Sequence, residues 1–486
     1  MLRMPLRRPL ALLLPLLLVL PFAAAQPATG QGKLPPEVEA ALLRARMPLE
    51  AVSAVVHEVG SPRSLLAVNA TTPMNPASVV KLLTTAAALD QLGPAWTWAT
   101  PVWLQGRLQD GVLEGTLTIK GSGDPKLVME RAWLLLRRVQ QLGVREIRGD
   151  IVLDSSAFNV PDGAPGDFDG EAIRAYNVKS GALLFNYKAS IYSFTPDAAR
   201  GIAIVSSEPP LAGQQVDRSV PLSEGACGDW ASALKASFSP ARVRFAGSYA
   251  AACGEQTWAL ADSHPASYNQ RFIEGLWREM GGKLSGAVRE GAAPVDAKPS
   301  FEHRSPPLIE VVREINKFSN NVMAQQLFLT LALARPGVGV ANAVATPEVA
   351  REAMKRWLAE RLGELPADLV IDNGSGLSRE TRMSAHTLAK LLLSAWDSPW
   401  MPELISSLPI TGVDGTLRRS RSAVGRANLK TGYLRDVAER AGYVLAGNGK
   451  RYVLVVMVNH ANAIAARPAM DALVQWTMNL PGSGKP

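Results

Sequence analysis

The chain has 486 residues, a formal net charge of +8, 47% hydrophobic and 19% charged residues, and two cysteines. That length exceeds one ordinary core, and the composition excludes a disordered chain, a small disulfide scaffold and a cysteine-rich zinc module. The basic balance leaves nucleic acid, anionic lipid or an acidic polymer open as partners.

Residues 1–25 read as a secretory signal peptide. Arg3, Arg7 and Arg8 form a basic start, and residues 10–22 form an apolar run too short to span a bilayer comfortably. Ala23-Ala24-Ala25 supplies the small residues of a cleavage site. Cleavage removes three arginines, leaves a net charge of +5 and predicts an exported, periplasmic protein. In that oxidising compartment Cys227 and Cys253, the only pair, can close into a disulfide; two free buried thiols are the alternative. No later stretch approaches about 18 uninterrupted apolar residues, and the tail is polar, so no stable membrane anchor is expected.

Two β-like runs, residues 52–56 and 64–68, flank Gly60-Ser61-Pro62 and predict a hairpin. A helix follows from Pro76 to Leu89, stopped by Gly93-Pro94. From about residue 100 to 300, short β-like segments such as 117–119 and 151–153 alternate with Gly, Pro and Asp turns. Helices are expected again at 308–318, 322–334, 346–362 and 384–396. Residues 442–446 and 451–458, joined through Asn448-Gly449, predict a second hairpin, and 465–478 a closing helix. Strands at both ends with helices between them predict one discontinuous α+β domain, split by a β-rich insertion.

The chemistry is narrowed first by elimination. Five scattered histidines, with no H-E-x-x-H, predict no metal site. Gly121-Ser122-Gly123-Asp124-Pro125 and Asn373-Gly374-Ser375-Gly376 continue into no nucleotide-binding loop and read as turns, so no cofactor is expected. G-x-S-x-G is absent. A serine nucleophile without a histidine base needs a lysine, and Ser78-Val79-Val80-Lys81 supplies one. At i and i+3 the two side chains share a helix face, and the first turn favours developing negative charge. Lys81 must lose its proton to act as a base, which apolar packing and a second cation both promote.

The motif alone recurs by chance, as at Ser232 and Lys235. S-x-N occurs at 319–321 and again at 267–269, and Lys430-Thr431-Gly432 has a degenerate copy at 179–181. Order and context separate the sets. Ser78 and Lys81 at a helix start, Ser319 and Asn321 between helices, and Lys430-Thr431-Gly432 entering a terminal strand hairpin form one consistent group. Lys179 precedes both of its would-be partners.

These residues make the chain resemble the penicillin-binding protein 4 type of D-alanyl-D-alanine carboxypeptidase/endopeptidase, the S13 serine peptidase family. Residues 76–84, 121–125, 318–321, 372–378, 408–417 and 430–432 carry the resemblance in the family's order. It implies a serine β-lactamase/DD-peptidase-like catalytic domain, an antiparallel sheet flanked by helices. That domain would comprise residues 26–100 and 303–486, with 101–184 and 263–302 as one inserted domain and 185–262 nested inside it. The resemblance makes Ser78 the acylated nucleophile and Lys81 its general base, with Ser319 and Asn321 relaying protons and holding the substrate amide. Lys430 and Thr431 would bind the terminal carboxylate. The backbone N–H groups of Ser78 and of Tyr433, after Gly432, would form the oxyanion hole. Tyr433 replaces the commoner small hydroxyl residue and could alter substrate fit.

The implied partners are peptidoglycan stem peptides and β-lactam antibiotics, with no nucleic acid; the oligomeric state is left open. Two other readings remain at this point, a β-lactamase or esterase of the same fold and a catalytically silent cell-wall binding protein. No E-x-x-L-N segment lies between Ser319 and Lys430 to favour a class A β-lactamase.

Overall fold

The computed structural model describes residues 32–161, 163–334 and 344–481; the expected signal peptide lies outside them. A five-stranded sheet runs in the spatial order Ala427–Leu434, Val437–Leu445, Arg451–Asn459, Val52–Glu58, Ser64–Val68. Every neighbouring pair is antiparallel, and Val52 stands opposite Val458, so the first strand completes a sheet begun at the other end of the chain.

Both faces of this sheet are covered. Val55, Tyr443 and Val455 point into a core shared with the helices Lys81–Gln91, Asn321–Leu333 and Ala385–Trp396. Ala54, Val56 and Val444 point the other way, onto the helices Pro36–Arg44 and Arg467–Met478. Two-sided burial explains near-continuous apolar runs such as residues 452–458 in place of alternation. Several expected helix starts prove to be capping residues. Thr346 and Ser384 stand just outside helices Pro347–Leu362 and Ala385–Trp396, and each accepts a hydrogen bond from the third residue on.

Two strands exceed their expected length. Val437–Leu445 begins five residues before Gly442, and Ala427–Leu434 is a full strand rather than an approach to one. Buried polar residues mask the first of these. Arg440 is ion-paired to Asp471 at 2.6 Å, and burial holds the Glu439 carboxyl well above the usual carboxylate range.

Residues 99–120, 146–154 and 283–304 supply a separate seven-stranded sheet. The region is less purely β than its sequence suggests, because helices Met129–Gln141 and Tyr268–Glu279 pack on that sheet. Between them in sequence, residues 189–261 form a five-stranded and a three-stranded sheet around an aromatic core. Phe194 stacks on Tyr249 with centroids 5.6 Å apart, and Cys227 is disulfide-bonded to Cys253.

Candidate active site

The serine of S-x-x-K lies in a 3-10 turn, Ala77–Val80, that opens directly into the helix Lys81–Gln91. Asn75 fixes the turn from below. Its side chain accepts from Ala77 N–H at 2.9 Å and donates to the Ser378 carbonyl at 2.9 Å, while its backbone N–H donates to Asn459 Oδ1 at 2.7 Å. Ala77 is held at φ 39°, a conformation costly for a residue with a Cβ, as is common beside reacting groups.

Two glycines let other backbone close on this turn. A Cβ on Gly376 (φ +82°) would lie 1.9 Å from the Ala77 carbonyl, and one on Gly432 would lie 3.2 Å from Ser78 N. The final residue of K-T-G is thus small because its strand runs against the turn that holds Ser78.

Lys81 is fully buried, yet its Nζ lies 2.8 Å from Ser78 Oγ and donates to Asn321 Oδ1 at 2.6 Å and to the Ser375 carbonyl. Burial, and then the charge of Lys430, push its pKa well below the usual lysine range. The hydrogen-bond inventory agrees with a neutral amine. Two partners are acceptors, matching the two N–H bonds of –NH2, and its lone pair is left to face a hydroxyl that can donate.

Ser319 terminates the helix Leu308–Phe318 in the left-handed conformation, φ 59°, where glycine is the usual residue. Asn320 then caps the next helix, accepting from Met323 N–H at 3.0 Å, and Asn321 is that helix's first residue. Lys430 Nζ donates to Ser319 Oγ and to the Thr431 carbonyl, each at 2.8 Å. Burial lowers the Lys430 pKa to about 7. Thr431 Oγ1 is 2.8 Å from Thr416 Oγ1.

Ser78, Ser319 and Asn321 share the wall of a cavity of about 820 Å3. Asn321 also borders a second cavity of about 620 Å3, which runs along Tyr433, Leu434 and Arg435 towards Arg379. The Tyr433 ring lies 4.4 Å beneath the Arg467 guanidinium and packs on the core of the far sheet face, while Gly432 before it runs against the turn that holds Ser78. The decoy motifs are engaged elsewhere: Ser232 with Asp229, Ser267 with Arg271, and Lys179 with Asp167.

The segment 372–378, read as a shaped turn, does more than turn the chain. It gives the Ser375 carbonyl to Lys81 and the Gly374 carbonyl to Thr84 at 2.7 Å. Thr416 lies in the segment 408–417 that carries the resemblance but has no role assigned from sequence, and Asn75, just before residues 76–84, carries no signal but its position. Among the described residues no group of three or more His, Cys, Asp or Glu could hold a metal ion, and no helix is long and apolar enough to cross a membrane.

The D-alanyl-D-alanine carboxypeptidase DacB of Haemophilus influenzae is 24% identical over 422 residues, covering 85% of this chain and 86% of that protein. Its crystal structure, described as penicillin binding protein 4, superposes with a TM-score of 0.71 at 22% identity over 90% of this chain and 97% of its own. That protein has also been solved with a β-lactam. The D-alanyl-D-alanine carboxypeptidase of Actinomadura sp. (strain R39) is 29% identical over 419 residues, 79% of this chain and 73% of its own. A predatory endopeptidase of Bdellovibrio bacteriovorus shares the fold with a TM-score of 0.52 at 15% identity, covering 89% and 94% of the two chains. The family profile itself matches residues 35–480, from the helix under the sheet to the closing helix and through all three motifs around Ser78, so the chain belongs to the D-Ala-D-Ala carboxypeptidase 3 (S13) family.

Proposed function

We propose that this chain hydrolyses the D-Ala-D-Ala bond of peptidoglycan stem peptides, or a D-Ala cross-link, through an acyl-enzyme on Ser78. The observation that carries the reading is a buried Lys81 amine whose only hydroxyl partner among the described residues is Ser78. Ser78 Oγ gives its proton to Lys81 Nζ and attacks the penultimate D-Ala carbonyl carbon. The resulting oxyanion is met by the backbone N–H groups of Ser78 and Tyr433. As the C–N bond breaks, Lys81 returns the proton to the leaving amine, with Ser319 and Asn321 lining its path. Water then attacks the ester carbonyl and frees Ser78.

Lys430 has two protein acceptors, and as an ammonium it keeps a third N–H for the terminal carboxylate, beside the Thr431 hydroxyl. Family membership supports this substrate class, and the names of the Haemophilus and Actinomadura relatives agree with it. β-Lactams, which present a strained amide to the same serine, are the expected acylating ligands. Carboxypeptidase and endopeptidase activity share this acylation step and differ only in the leaving amine.

The separate sheets support reading 26–100 with 303–486 as the catalytic domain, 101–184 with 263–302 as an inserted domain, and 185–262 as a domain nested in it. The leader at residues 1–25 supports export to the periplasm. Cross-linked muropeptides incubated with the protein and resolved by mass should release D-alanine, split dimers, or both. Fluorescent penicillin should label the wild type and leave Ser78→Ala unlabelled. Equal labelling of the two, or rapid turnover of a chromogenic β-lactam with no muropeptide product, would overturn the reading.

A further inference from the structure

The helix Met129–Gln141 buries Ala132, Leu135, Leu136 and Val139, one face at helical spacing, against the seven-stranded sheet. Its opposite face should be polar, but Trp133 and Leu134 stand there 42% and 44% exposed. The neighbouring helix Tyr268–Glu279 shows the ordinary arrangement, turning Arg278 and Glu279 outward. An indole and a leucine on the solvent side of a helix call for a ligand rather than a core.

They wall a cavity of about 490 Å3 together with Ile191 and two acidic residues, Glu130 and Glu208. This cavity adjoins the one that Ser78 borders: Glu130, Asn186 and Ile191 line both. Adjoining cavities therefore place an exposed aromatic residue and two acidic residues beside the cavity of Ser78.

That chemistry selects one kind of occupant. The negative face of an indole attracts the apolar, partially positive C–H face of a pyranose. Carboxylates accept from sugar hydroxyl and N-acetyl N–H groups, and such a few fixed polar groups in an apolar pocket orient a small ligand. The same carboxylates disfavour a polyanion on the platform. We propose that the Trp133 cavity is a subsite for a neutral N-acetylhexosamine of the glycan strand that carries the stem peptide. The proposal rests on the reading of Ser78 as acting on peptidoglycan stems. It assigns the inserted region a task in substrate capture: the sugar is held on the platform while its peptide lies in the adjoining cavity of Ser78.

Calorimetric titration of the full chain with the neutral, peptide-free disaccharide N,N′-diacetylchitobiose tests the subsite without relying on catalysis. Saturable binding by the wild type, weakened at least about tenfold by Trp133→Ala and less than about threefold by Trp133→Phe, is expected. With a disaccharide-pentapeptide, Trp133→Ala should raise KM about fivefold at constant kcat, while KM for the free pentapeptide stays within twofold. Glu208→Gln, a second exposed variant, should weaken disaccharide binding about threefold. Absence of disaccharide binding by the wild type, or equal KM effects on both substrates, would overturn the proposal. So would a dimer that Trp133→Ala dissociates, because the platform would then belong to a second copy of the chain. Should the wild type bind disaccharide through Trp133 yet fail to hydrolyse either substrate or react with penicillin, the hydrolase reading falls and the sugar site stands.

Discussion

Around Ser78 the protein buries ionisable groups; around Cys227 and Cys253 it buries rings. Lys81, Lys317, Lys430, Glu439 and Arg440 all lie below a tenth exposed in the region built on the five-stranded sheet. Between residues 191 and 261 no charged residue among those described is buried to that degree, and the interior is Tyr192, Phe194, Phe245 and Tyr249 with Trp230 against them. Removing an ammonium from water costs several kcal/mol unless partners replace its hydration, whereas an aromatic ring gains by burial. The first region is therefore stabilised in spite of its site, by helices on both sheet faces. The second has little depth and adds a covalent brace across a 26-residue separation.

This contrast can be broken deliberately. Lys81→Met removes the proton acceptor and leaves an apolar chain of similar length in an apolar place. Penicillin acylation should fall by at least about 10^3-fold, roughly 4 kcal/mol of transition-state stabilisation, while the melting temperature stays level or rises. A matching fall in melting temperature would show that Lys81 is structural. Converting Cys227 and Cys253 together to serine should do the reverse. Hydrogen exchange within residues 189–261 should report a loss of about 3.5 kcal/mol of local stability, with the acylation rate unchanged. Altered acylation would mean that the two regions are coupled.

The pH profile sharpens the contrast inside the site. In the proposed mechanism Lys81 must be neutral to accept a proton, and its pKa lies well below the usual value; Lys430 must be charged to hold a carboxylate, and its pKa is lowered to about 7. Activity should therefore fall on the acid side as Lys81 gains a proton and on the alkaline side as Lys430 loses one. The alkaline limb of kcat/KM should begin near pH 7, and that of kcat higher, because a bound carboxylate retains the proton on Lys430. Lys430→Arg, which cannot titrate in this range, should move the alkaline limb up by at least about one pH unit. An unmoved limb would assign it to another group.

How much of this was legible depended on where the information lay. Ser78 and Lys81 sit three residues apart on one helix, so their contact follows from spacing, and chain order selected Ser319, Asn321 and Lys430 from their decoys. The Ser375 carbonyl could not be read this way. A backbone oxygen has no residue type, and only the glycines around it hinted that the segment approaches something closely. Glu439 and Arg440 hid half a strand because strand signals assume that charge faces water. The helix Met129–Gln141 had its period in Ala132, Leu135, Leu136 and Val139, but the outward Trp133 and Leu134 filled the polar gaps that make a helical stripe visible.

The pairing of Val52 with Val458 also dictates an order of assembly. Its two ends are ~400 residues apart, and closing so long a loop costs entropy before any contact repays it. The strands between 189 and 261 find their partners nearby and can form while the rest of the chain is still being made. Ser78 is synthesised early, but Lys430 and the strand that carries it come near the end. The growing polypeptide thus holds a serine with neither its second cation nor its enclosing backbone, and acquires a reactive one only when the last strands arrive.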